Sequence, residues 1–329
     1  MGSPIIIGLC AGLCSALLFA ATGGGTGLPG LVLSQLTPLP LLIAGLGWGP
    51  VAVLSAGSAA LVVVGLVVGA QFALVHAVAM ALPAATICWL AHLRRPAPAT
   101  ATPATLEWYP PGRLLAWIAV MAGLLALGFL LVVGPDLDTI AKMMRALLER
   151  QVKAWTRAGG RELSEDDLVS ITGFLVRVVP GAAAMSWMFM MLLNVWLAGR
   201  ILRTSGRLMR PWPRLQAIEL PPRLGLGLAA AVALSFGSGL PALAAGGFAA
   251  AFFMAYAVLG FAVLHWITWG RSSRGVVLSA VYASAILFAP YGTVPVALLG
   301  LFEPLARLRR RSPGPPPPPA PPGGPPATV

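Results

Sequence analysis

The chain is poor in charge. Only 10% of its 329 residues are Asp, Glu, Lys or Arg, against 58% hydrophobic, where soluble domains run near 25% charged. That scarcity excludes an ordinary soluble domain. Acids are scarcest: 10 Asp and Glu face 22 Lys and Arg, a formal net charge of +12. Cysteine is almost missing. Cys10, Cys14 and Cys88 are an odd number, all in apolar runs, and imply neither a disulfide framework nor a zinc site. His76, His92 and His265 lie on separate segments without metal-ligand spacing. Walker A, HExxH and nucleophile-elbow sequences do not occur. "GTGLPG" (Gly25–Gly30) matches GxGxxG in letters. It follows an apolar helix, carries Pro29 where a helix would open and has no βαβ setting, so it is not read as a nucleotide site. Asp136 and Asp138 make a DxD pair of the kind that holds a divalent cation, but acids at a helix start are ordinary. The expectation is no enzyme, no cofactor and no metal. Cations sit beside apolar runs rather than among stacking aromatics, so no nucleic acid is expected as a partner.

What is present is apolar sequence in long runs. In lipid the backbone satisfies itself only as helices or a closed barrel, and continuous rather than alternating runs select helices. The runs at Ile5–Ala21, Val51–Ala70, Gln71–Leu93, Leu114–Val133, Pro180–Leu202, Leu224–Ala245, Phe248–Trp269 and Val276–Leu308 predict an all-α polytopic membrane protein with eight to ten transmembrane helices. The last run is split into a hairpin at "APYG" (residues 289–292). One piece does not fit. "TPLPLLIAGLGWGP" (Thr37–Pro50) leaves nine residues between Pro40 and Pro50, about 14 Å of helix against a hydrocarbon core of about 30 Å. Residues 37–50 are therefore read as a short broken helix, with Pro40, Gly49 and Pro50 as its turn residues. Residues 1–311 form the membrane domain, and 312–329 a disordered Pro-rich tail. No Lys or Arg precedes the first run, so no cleavable signal peptide is expected. Ile6 stands where myristoylation needs Ser or Thr.

Charge orients the chain. Arg94, Arg95 and Arg113, the arginines from Arg200 to Arg223, Arg271 with Arg274, and Arg307 with Arg309–Arg311 are expected on the cytoplasmic side of a bacterial inner membrane, the basic loop being residues 203–223. Residues 136–177 hold seven acids and seven bases and form the natural external segment. There Leu137, Ile140, Met144, Leu148, Val152 and Trp155 share one helix face. Gly159-Gly160 ends that helix, and Ser164 with Asp167 opens a second as a capping box. Both are expected on the membrane surface or over the bundle.

Polar residues at depth face a bundle interior or a cavity. Gln71, His76 and Asn194 are the candidate lining of a ligand cavity; interhelical hydrogen bonding is the alternative use. Glu303 has Arg307 at i+4 as its natural partner. Gly8 and Gly12 form GxxxG, and Ala11 with Ser15 an adjoining small-residue strip, suited to close helix packing or to contact with a partner membrane protein.

"VVPGAAAMSWMFMMLLNVWLAGRILRTSGRLMRPWPRLQAIELPPRLG" (Val178–Gly225) and the close "RSSRGVVLSAVYASAIL…LLGLFEPLARLRRR" resemble the YybS-like family of bacterial integral membrane proteins, a domain of unknown function. "PLPLLIAGLGWGPVAVLSAG" is more remotely similar to substrate-binding S components of energy-coupling-factor transporters, and through that superfamily to the cell-shape protein MreD. The resemblance implies an S-component-like N-terminal half with Gly49-Pro50 as its turn, and Ala11 and Ser15 contacting a coupling subunit. By function it implies a transport-related, solute-binding membrane subunit without its own energy coupling, or alternatively an MreD-like scaffold of an envelope or cell-shape complex. Implied partners are the lipid bilayer, a coupling subunit or envelope complex, and a small molecule.

Overall fold

The structure, a computed structural model, describes residues 3–21, 27–96, 106–134, 136–160, 163–214, 216, 218–289 and 291–311. The Pro-rich tail, most of the linker after Pro96 and the first residues of the Gly25–Gly30 motif lie outside the described residues. The elements are α1 (Pro4–Ala20), α2 (Gly27–Ser34), α3 (Pro38–Trp48), α4 (Pro50–Val67), α5 (Ala70–His76), α6 (Leu82–His92), β1 (Arg94–Pro96), β2 (Leu106–Trp108), α7 (Pro111–Val133), α8 (Leu137–Arg157), α9 (Glu165–Thr204), α10 (Pro222–Ser235), α11 (Gly239–Ile267), α12 (Arg274–Leu287) and α13 (Val294–Ala306). This is an all-α polytopic membrane protein. Among the described residues five helices are long and apolar enough to cross a membrane: α4, the α5–α6 rod, α7, α9 and α11. The other apolar helices are 10–17 residues long, which is why a count by apolar runs gives more spans.

The chain forms two compact units, Met1–Pro213 with Glu219–Ala255, and Arg214–Ile218 with Tyr256–Val329. In the first, α3 is the centre. It has 11 residues, about 16 Å, and none from Leu36 to Gly49 is exposed; α1, α4, α6 and α9 pack around it. A helix apolar on every side belongs inside protein. It begins at Pro38, so Pro40 lies within its first turn rather than at its edge. Gly49, at φ 89, turns the chain, and Pro50 opens α4. The left-handed φ favours glycine there.

Glycine also sets the α1–α4 contact. A β-carbon on Gly8 would strike the Ala52 carbonyl and Ser55, and one on Gly12 the Ala56 carbonyl. The GxxxG face is thus spent within the chain, against the fully buried Ala52, Ala56 and Ala60.

At one end of this unit β1 and β2 pair antiparallel, with Arg95 bound to Glu107. The flanks of the linker are therefore a ribbon. At the other end α8 lays Ile140 and Met144 on Leu130, Val176 and Leu243. Asp136 caps α8, accepting from the Thr139 amide at 2.7 Å, and this bond holds its carboxyl below the ordinary value. The DxD pair is thus half helix cap. Ser164 and Asp167 form the expected capping box. The helix they open does not stop before the next span: α9 runs 40 residues through Pro180, about 60 Å. One rod replaces the expected surface helix and separate span, because only the first turn of a helix needs a cap and a proline inside a span is tolerated.

The second unit holds the end of α11, α12, a 3₁₀ turn at Tyr291–Thr293 and α13. The break expected at residues 289–292 is present. Gly260 abuts the Val296 carbonyl and Gly300 the Tyr256 carbonyl, so α11 and α13 cross with backbones in contact.

Candidate functional site

The polar groups of the first unit converge where α2 gives way to α3. Proline is the cause. Pro38 has no N–H to offer the Ser34 carbonyl, and the Thr37 hydroxyl donates there instead at 2.7 Å. The Leu39 amide turns to Leu36, leaving the Gln35 carbonyl for Asn194 Nδ2 at 2.7 Å; the same amide group donates to Met190 at 2.8 Å. Ser15 donates its hydroxyl proton to the Thr37 carbonyl at 2.8 Å. A buried carbonyl freed from its ladder needs such a donor.

Ser15 Oγ also lies 3.0 Å from His76 Nε2. A hydroxyl has one proton, and Thr37 receives it, so the imidazole supplies the other: Nε2 carries hydrogen and Nδ1 is the bare acceptor. The Phe19 ring meets the imidazole edge-on at 5.3 Å. Ser15, Thr37, His76 and Asn194 are all 0% exposed. Two atoms remain unpaired, His76 Nδ1 and Asn194 Oδ1, and both are acceptors.

His76 also ends the regular part of its helix. Residues 77–81 form a π-turn, and Pro83 explains it. Pro83 offers no amide to Ala79 and its ring would press on that carbonyl. Trp187 Nε1 takes the Ala79 carbonyl at 2.9 Å. Such π-turns often accompany functional sites.

The candidates thus part company. His76 and Asn194 both serve this polar core. Gln71 is exposed on α5 and does not line it. Ser15 is committed to Thr37 and His76, so it is not available as a partner contact; Ala11 is half-buried. Ser15 and Thr37 were not among the cavity residues read from sequence, although Pro38, which has no amide to bond four residues back, marks where the helix is interrupted.

A match to the family described as "Predicted membrane protein (DUF2232)" covers residues 13–303. The chain belongs to that family. The matched stretch takes in every residue of the polar core. No curated protein and no solved structure gives a significant match.

A second polar cluster lies in the second unit. His265 Nε2 is 3.0 Å from the Tyr282 hydroxyl and Nδ1 3.0 Å from Arg274 Nη2, so both ring nitrogens are engaged. Glu303 does not pair with Arg307. Arg307 takes φ 50 and ends α13, and the reversed chain brings Arg309 onto the carboxylate at 3.0 Å.

The basic end of the first unit carries an array of arginines on tryptophans: Arg94 and Arg210 over Trp108, Arg200 over Trp196, Arg203 over Trp212 and Arg207 over Trp48, at 5.7–6.0 Å. Arg200 and Trp196 stand four apart on α9, a spacing legible in the sequence; the other pairs join positions that no such spacing links.

Proposed function

We propose that this membrane protein is a non-enzymatic subunit that binds a small solute at the α2–α3 break, without energy coupling of its own. The observation that carries it is the pair of buried, unpaired acceptors, His76 Nδ1 and Asn194 Oδ1, beside an interrupted helix. Buried polar atoms are rarely left so, and interrupted helices mark binding sites in many transporters. Because each open position is an acceptor, the solute presents donors: an amine, a hydroxyl or an amide N–H. The S-component resemblance of the α3–α4 turn supports the same reading. The positive-inside rule puts the arginine–tryptophan end in the bacterial cytoplasm.

The second reading, an MreD-like scaffold, is favoured by that same arginine–tryptophan array, which suits a partner complex. Native mass spectrometry of the protein extracted gently from its own membranes tests both. The solute reading expects a bound small molecule that is lost from His76→Phe and Asn194→Leu. An empty interior with co-purifying envelope proteins, and full rescue of a deletion by both variants, would replace it with the scaffold.

A further inference from the structure

Away from the helix break, a groove of about 340 Å³ runs between α7, α10 and the first half of α11. Its mouth is Arg113 and Arg223; Trp117, Val120, Gly227 and Phe252 line its length. Both arginines are exposed. Among the described residues the acid that could have answered Arg113, Glu107, is bound to Arg95, and neither mouth arginine enters an ion pair. Charge and greasiness are graded along the groove. From Arg113 to Val120 is about 10 Å along a helix, and everything on that path is aromatic or aliphatic. Trp117 donates its Nε1 proton to the Tyr109 hydroxyl at 3.1 Å, a ring pair of the kind that marks the level of lipid headgroups.

We propose that this groove holds one anionic phospholipid. Its phosphate bridges Arg113 and Arg223, and one acyl chain lies on Trp117, Val120 and Phe252. Two unpaired cations at the mouth complement a negatively charged headgroup, and basic pockets between spans recognise such headgroups. Gly227 faces the Phe252 ring, 3.3 Å from where a β-carbon would stand, so a larger side chain there would occupy the groove.

The test is retention of lipid by the full chain after exchange from nanodiscs made with equal phosphatidylglycerol and phosphatidylcholine, read by native mass spectrometry. Wild type is expected to keep one phosphatidylglycerol at about tenfold preference, reduced by salt. Arg113→Gln with Arg223→Gln should lower the preference at least fivefold. Arg113→Lys with Arg223→Lys should keep most of it, which separates charge from misfolding. Gly227→Leu, filling the groove, should release the lipid without restoring phosphatidylcholine. Equal retention of the two lipids by wild type would overturn the proposal. So would undiminished preference in the Gln pair, or displacement of the lipid by millimolar glycerol phosphate alone, which would make the site one for a soluble phosphate.

Discussion

Glu303 is a carboxylate that the chain closes over. Its side chain is 7% exposed and that of Arg309 14%, and it also accepts from the Leu308 and Arg309 amides. Arg309 in turn donates to the carbonyls of Gln216 and Ile218. Removing one partner of a buried pair strands the other, at about 3–5 kcal/mol. Glu303→Gln and Arg309→Gln should each cost roughly 3 kcal/mol in detergent unfolding. Arg307→Gln should cost less than about 0.5 kcal/mol, the scale of an exposed charge. Equal losses at positions 307 and 309 would mean that the i+4 pairing was right after all. The i+4 rule misjudges this residue because it assumes the helix continues. Arg307, at φ 50, is where it does not.

At the scale of elements, glycines sort into those that touch and those that do not. Gly12 abuts the Ala56 carbonyl across the α1–α4 seam, while nothing lies near Gly128 on α7. Gly12→Ala should force the two helices apart and cost about 1–3 kcal/mol, the range for overpacking. Gly128→Ala should be neutral or stabilising by up to about 1 kcal/mol, as a helix interior gains from alanine. Thermal unfolding of both variants side by side decides it, and a neutral Gly12→Ala would remove the seam from the account. A small-residue strip is legible from sequence as a contact face, but not what it contacts. Lipid, a partner and a neighbouring helix all accept the same strip.

For the whole molecule, apolar runs were enough for the class. The capping box and a helix break after Leu287 were also legible, because local rules decide them. The course of α9, the enclosure of α3 and the cap on Gln35 were not, since each depends on what the rest of the fold brings alongside. The amphipathic 136–177 segment shows both sides of this. Its helix face was readable; its fusion with a span was not. At about 60 Å, α9 is twice as long as the hydrocarbon is thick, long enough to reach water on both sides. With Cys10 and Cys14 changed to Ala, Glu165→Cys should react with an impermeant maleimide in intact cells and Ser205→Cys only after permeabilisation. Labelling of both from one side would refute a membrane-spanning α9.

The bond between Asn194 and Gln35 joins residues 159 apart. A ribosome adding 5–20 residues each second needs roughly 8–30 s to make that stretch. Throughout that interval the first helices are already synthesised, while the donor for the Gln35 carbonyl does not yet exist. The Gln35 carbonyl, between α2 and α3, must therefore be served by water or another donor until that side chain of α9 arrives. Closure of this bond is consequently a late event in the making of the chain, and the pairing of α9 with the α2–α3 connection cannot precede it.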